Sequence, residues 1–246
     1  FSTRLDFMAS AAGGKLKWLS ELQGGRSNTG FSLAPPVSAA AQQRWLWEGL
    51  SVGADTILFW CWRDEVFGRE SAGFGMAGND GLKDERLAAM RQTGEILQRH
   101  RAMLQSYEQT RARVGIFFSP QAYYLYWAQD GNADLPMRAV QGYATALLRQ
   151  QIPYVLVEEC HLERLQQLDV LFLPRAIVLD KETANGLRTF VENGGTLVVE
   201  SETGAFGSHG LYRYPDERHL VEWTGMVEVG RRDFPESGDD DGRLHS

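Results

Sequence analysis

The stretch Lys17-Trp18-Leu19-Ser20-Glu21-Leu22-Gln23-Gly24-Gly25 governs the reading of the chain. It predicts a short apolar strand that carries one acidic side chain to its end and drops it into a glycine-rich loop. A strand end mounts a carboxylate rigidly, and glycine beside it leaves room for a ligand. About one helix later a second strand-like run, Thr56-Ile57-Leu58-Phe59-Trp60-Cys61-Trp62, also ends in charge: Arg63, Asp64, Glu65 and then Glu70. Carboxylates and tryptophans at two successive strand ends suggest a sugar site.

Between these runs, Pro35 and Pro36 close an irregular stretch and Ser38 caps a helix over Ala39 to Val52. Gly53 ends that helix and Asp55 leads into the second strand. A glycine-rich loop over Gly68 to Gly81 precedes one long helix from Lys83 to Ser106, with Leu87, Met90, Gly94, Leu97 and Leu104 at helical intervals. This is two βα units of a parallel sheet or barrel and no more. Two units cannot close an eight-stranded barrel, so the chain reads as a piece of a larger protein.

After Thr110 the pattern restarts. Strands are expected at Val114 to Phe118, Tyr154 to Val157, Asp169 to Pro174 and Thr196 to Glu200. Helices are expected from Arg138 to Gln151, His161 to Gln167 and Lys181 to Glu192, the last stopped by Asn193-Gly194-Gly195. Alternating strands and helices predict a doubly wound open α/β sheet. The fold class is therefore α/β, in three parts: a barrel segment over 1–108, an α/β domain over 109–228, and over 229–246 a charged tail or the start of a further domain.

With 25 Lys+Arg against 32 Asp+Glu the formal charge is −7, which disfavours nucleic acid as a partner. A neutral ligand fits better, and the tryptophan cluster from Trp45 to Trp62 suits stacking on sugar faces. No apolar run reaches membrane-spanning length, so no membrane partner is expected; the chain opens at Phe1 without a methionine, which leaves room for a signal peptide upstream, and the location expected is cytoplasmic. The only cysteines, Cys61 and Cys160, provide neither a disulfide scaffold nor a structural zinc framework.

At this point the sequence resembles the C-terminal part of the catalytic barrel, followed by the middle domain, of the glycoside hydrolase family 42 β-galactosidases. The resemblance rests on Trp18 to Gly25, on Gly53-Ala54-Asp55 leading to Trp62-Arg63, and on Phe67-Gly68-Arg69-Glu70, and it continues to about Gly225. It implies a TIM-barrel segment holding strands seven and eight, then an amidotransferase-like, flavodoxin-like α/β domain that builds a homotrimer. It implies Glu21 as the nucleophile, Glu70 as a carboxylate that binds sugar hydroxyls, and Trp62 as an aromatic lining the pocket. The implied ligand is a terminal β-D-galactoside or related oligosaccharide, with no cofactor and no metal. Two positions depart from the family pattern: Gly73 replaces a frequent histidine and Thr29 a frequent tryptophan, both concerned with sugar recognition.

Retaining hydrolysis needs one carboxylate to attack the anomeric carbon and a second, about 5 Å away, to protonate the leaving oxygen. Glu21 fills only the first role. The resemblance places the acid/base on barrel strand four, upstream of Phe1, and Asp64 and Glu65 read as surface or pocket-wall charges. The rival reading is a non-catalytic assembly or carbohydrate-binding module derived from a glycosidase.

Elsewhere, His100 at a helix end suits the C-terminal dipole, and His209 sits in a loop facing a neighbouring subunit. His161 adjoins Cys160, Glu158 and Glu159, but neighbouring residues on a strand or helix start point in different directions, so no shared site is expected there. The α/β domain has no cysteine in a nucleophile elbow and reads as non-catalytic. The aromatic run Tyr123-Tyr124-Leu125-Tyr126-Trp127 reads either as an interface or as one packed helical face.

Overall fold

The opening stretch forms strand β1, Trp18–Gln23, and the second apolar run forms β4, Thr56–Trp60. The two pair in parallel, with Gln23 opposite Trp60. Between them in sequence lie a small antiparallel hairpin, β2 (Asn28–Thr29) and β3 (Ser32–Leu33), and helix α2, Ala39–Ser51. Ser38 caps α2 as expected, accepting from the Ala41 N–H at 3.2 Å. Asp55 anchors the start of β1, where its carboxylate accepts from the Lys17 N–H at 2.7 Å.

The computed structural model describes residues 2–230, in two compact units that meet in sequence at Arg111 and Ala112. The tail expected from residue 229 lies, from 231 onward, outside the described residues. The first unit opens with a helix, α1 (Ser2–Ala12), that the sequence reading does not contain. The single long helix expected to Ser106 is two, α3 (Lys83–Arg99) and α4 (Arg101–Gln105). The backbone leaves helical geometry at His100, with φ −105° and ψ 18°. No residue of α4 is buried, so no packing enforces a continuous helix through the exposed Arg99-His100-Arg101.

The inward face of α3 is not the apolar one that periodicity suggests. Its buried residues are Arg86 and Thr93. Thr93 and the Ala89 carbonyl both accept from the Gln43 side chain, at 3.0 and 3.2 Å, which ties α3 to α2. Arg86 is fully buried. Its Nε donates to the Met76 carbonyl at 3.0 Å, and its two terminal nitrogens reach the carbonyls of Val37 at 3.0 Å and Gly75 at 3.4 Å. The same nitrogens grip Asp80 in a fork, at 2.7 and 2.8 Å. All the N–H donors of the guanidinium thus have acceptors.

In the second unit β5 (Val114–Phe118), β6 (Tyr154–Glu158), β7 (Val170–Leu173) and β8 (Thr196–Val199) form one parallel sheet in the order β6-β5-β7-β8. The connections are α5 (Pro120–Asp130) and α6 (Asp134–Arg149), a 3₁₀ segment Glu159–Gln167, and α7 (Lys181–Glu192). Phe117, Val157, Leu171 and Leu173 from the sheet pack with Leu187 and Phe190 of α7 in the core. Helix α6 starts at Asp134 rather than Arg138, because Pro136 in the first turn gives up only an N–H that has no intrahelical partner there. Helix α7 runs as expected, capped by Asp180, whose carboxylate accepts from the Thr183 N–H at 2.7 Å.

Burial by itself would raise the Asp80 carboxyl, but the Arg86 fork and the Leu82 N–H outweigh it and hold it below the ordinary carboxylate value. The stabilisation is complete above the unfolded-state value and is lost as pH falls through the depressed folded one. Asp80→Asn strands a buried guanidinium, so it should cost about 3–5 kcal/mol at neutral pH. Urea denaturation at pH 7 and at progressively lower pH checks this: the gap between wild type and variant should narrow in acid.

Candidate active site

Glu21 does not stand at the tip of its strand. It is the fourth residue of β1, and the pairing slips there: Leu19 faces Ile57 and Leu22 faces Phe59, so Ser20 and Glu21 together oppose the single Leu58. This is a β-bulge, a device that re-aims side chains and is common beside active sites. Leu22 is buried next to it, while Glu21 is exposed, with no hydrogen-bond or ion-pair partner among the described residues.

The glycines after β1 serve the chain's own backbone. The Gly24 N–H donates to the Trp60 carbonyl at 2.8 Å and the Gly25 N–H to the Phe74 carbonyl at 2.9 Å. A Cβ on Gly25 would lie 2.2 Å from the Gly75 carbonyl oxygen, so no larger residue fits. The room expected for a ligand is filled by the loop that follows β4. That loop is laced down further by Cys61 N–H to Phe74 O at 2.8 Å, Met76 N–H to Cys61 O at 2.7 Å and Ala77 N–H to Trp62 O at 2.8 Å. From α2, the buried Gln42 side chain donates to the Gly24 carbonyl at 2.7 Å.

Asp64 completes the lacing by accepting from the N–H groups of Gly75 at 3.1 Å and Asn79 at 2.7 Å. It is a staple of its own loop. The Trp60–Cys61 peptide bond is cis. Burial raises the Cys61 thiol, and the nearby charges of Glu65, Asp64 and Glu70 raise it further. Glu70 thus shares the electrostatic neighbourhood of the β4 end. Its carboxylate is exposed in the turn before Ser71, and Trp62 is 62% exposed two residues beyond β4.

The hairpin is tied to the same loop. The Gly30 N–H donates to the Arg69 carbonyl at 2.6 Å, and the Asn28 side chain donates to the Ser71 carbonyl. A Cβ on Gly73 would stand 2.6 Å from that of Asn28, which is a physical reason for glycine where the family pattern has histidine. Thr29 is exposed at the hairpin end. The buried Arg26 Nε, Asn28 Oδ1 and Gln42 Oε1 have no partner among the described residues, and buried polar atoms call for one, a water or a ligand hydroxyl. Sequence reading passed over these three residues because nothing in local pattern marks them.

In the second unit the sequence reading needs a correction. Glu158, Cys160 and His161 do converge: the backbone at His161 is non-helical, with φ −128° and ψ 37°, and this break in the 3₁₀ segment defeats the divergence expected of neighbours.

Residues 1–100 match the family model of glycoside hydrolase family 42, described as beta-galactosidase. The whole chain is similar to solved β-galactosidases at low identity. That from Bacillus circulans sp. alkalophilus shares 19% identity at a TM-score of 0.82, covering 96% of this chain and 35% of that one. That from the haloarchaeon Halorubrum lacusprofundi shares 21% at 0.79, covering 95% and 34%. That from Marinomonas ef1 shares 20% at 0.71, covering 91% and 34%. The chain carries the family 42 fold. It spans about a third of the length of these solved β-galactosidases. No curated protein sequence matches it. Among the described residues no helix is long and apolar enough to cross a membrane.

Within this family 42 fold, two glycines of the first unit should respond oppositely to alanine. Gly25→Ala forces backbone against backbone and should destabilise by about 1–3 kcal/mol or more. Gly94→Ala, in α3 with nothing within 4 Å of the added carbon, should stabilise by up to about 1 kcal/mol. Paired urea denaturation curves measure both.

Proposed function

We propose that the chain is the nucleophile-bearing part of a retaining β-galactosidase-like glycosidase, with Glu21 attacking the anomeric carbon. The observation that carries this reading is the bulge: it presents an exposed carboxylate, with no partner among the described residues, beside the ends of two parallel strands whose following loops are laced together backbone to backbone. A nucleophile needs that fixed mount, because geometry accounts for much of the barrier reduction. Glu70 would accept hydrogen bonds from sugar hydroxyls and Trp62 would offer a face for the ring. The partnerless buried atoms of Arg26, Asn28 and Gln42 fit a polar ligand or its waters.

The two-stranded sheet is read as strands seven and eight of a TIM barrel. Parallel strands are ordinarily covered on both faces, yet Trp18, Leu58 and Trp60 are exposed, which fits further barrel strands packing there. One of those strands would supply the acid/base. In the full-length protein, Glu21→Gln should lower turnover of a chromogenic β-galactoside by orders of magnitude while secondary structure persists. Azide should partly rescue Glu21→Ala by forming a glycosyl azide. Near-normal turnover of either variant removes the assignment.

The second unit is read as a flavodoxin-like trimerisation domain, its strand order being that of the first four strands of such a sheet. Helix α5 divides its aromatics by face. Ala122, Leu125 and Tyr126 turn inward with Ile177, Val178 and Phe206, leaving Tyr124 at 66% and Trp127 at 61% exposure. Leu125 abuts Gly210 in the loop of His209, which adjoins the exposed Tyr212 and Tyr214. An exposed aromatic surface of this kind suits a subunit contact. Full-length protein should sediment as a trimer, and Tyr124→Glu with Trp127→Glu should dissociate it; a trimer unchanged by both substitutions locates the contact elsewhere.

A further inference from the structure

The turn after β6 gathers donors that no step of a glycosidase requires. Cys160 Sγ lies 3.3 Å from His161 Nδ1 and 3.7 Å from a Glu158 carboxylate oxygen, and the same oxygen is 3.9 Å from His161 Nδ1. One sulfur, one nitrogen and one oxygen therefore form a near-equilateral triangle within a four-residue segment. Glu159, between two of these residues, takes no part, since its carboxylate accepts a hydrogen bond from the Ser119 hydroxyl.

We propose that Glu158, Cys160 and His161 bind one borderline divalent cation, Zn²⁺ in the first instance, with water in the fourth position. Zn–S bonds of about 2.3 Å and Zn–N or Zn–O bonds of about 2.0–2.1 Å place the ligand atoms of a tetrahedral ion roughly 3.3–3.6 Å apart. The observed triangle closes to that size by small side-chain rotations. The donor set selects the metal: a thiolate and an imidazole disfavour Mg²⁺ and Ca²⁺, while a carboxylate and solvent exposure suit Zn²⁺ or Co²⁺. Cys160 is exposed and the Glu158 and His161 side chains are 29% and 34% exposed, so an ion has access and a water can complete its shell. The break at His161 is what makes the site, because a regular turn would carry the imidazole away from the thiol. Its occupant would pin the end of β6 to the 3₁₀ segment. This inference is independent of the glycosidase reading, and its test reads metal and not turnover.

The test is titration of the full chain with Co²⁺ under reducing conditions. A thiolate-to-cobalt charge-transfer band should grow and saturate at one equivalent, be abolished stoichiometrically by Zn²⁺ and persist in excess Mg²⁺. Cys160→Ser should remove the band, and Cys61→Ser, the only other cysteine, should leave it intact. Zn²⁺ affinity measured by calorimetry should fall in His161→Ala and in Glu158→Gln by more than the roughly 10–100-fold that loss of an outer supporting partner costs. These side chains are partly or wholly exposed, and circular dichroism should show the variants folded. The proposal is overturned if no band forms, if the band depends on Cys61, or if either ligand variant binds Zn²⁺ as tightly as wild type.

Discussion

The first unit hangs on one buried charge. Arg86 occupies the buried face of α3, which is not the face that apolar periodicity picks out, and its guanidinium holds Asp80 and three backbone carbonyls at once. Two of those carbonyls, Gly75 and Met76, belong to the loop after β4, and the third, Val37, to the approach to α2. A loop of this length rich in glycine has high conformational entropy, and closing it onto a point charge offsets that cost with charge-assisted bonds. The pair is an instance in which both members must be present, since either alone would be a desolvated ion.

From that clasp the order passes to the candidate site through backbone contacts. Gly75, held by Arg86 and Asp64, and its neighbour Phe74 meet Gly24 and Gly25, and these fix where β1 ends. A Cβ at Gly24 or Gly25 would run into the backbone of Cys61, Phe74 or Gly75, so glycine is required at both positions, which makes the site's rigidity a matter of main chain rather than side-chain packing. A carboxylate at the bulge of β1 inherits that rigidity while remaining open to solvent. Fixed backbone carrying an exposed carboxylate is the arrangement that the nucleophile proposed at Glu21 requires.

The second unit uses its sheet differently. Its core is apolar and conventional, with Phe117, Val157, Leu171 and Leu173 against α7, and its interest lies at the ends of strands and along one helix. Helix α5 divides its aromatic run between two faces: one packs, and the other presents Tyr124 and Trp127 outward. At the end of β6, a single non-helical residue turns three neighbouring donors toward one point.

The α/β class, the parallel strands, the cap at Ser38 and the stop at Asn193 were legible from the sequence, because each depends on residues within a few positions of one another. The same holds for the strands that carry Glu21 and lead to Trp62. The register of β1 against β4 was not legible: a bulge is a relation between two strands distant in sequence, and it is the bulge that takes Glu21 out of regular pairing. Nor were the partners of Arg86, Asp64 and Gln42, which bond to backbone carbonyls and N–H groups that carry no residue identity. The helix break at His100 and the kink at His161 depend on whether packing holds the backbone to regular geometry. Local pattern thus determined which segments form strands and helices and which residues can do chemistry, whereas long-range backbone hydrogen bonds, blind to side-chain type, decided which of those residues face one another.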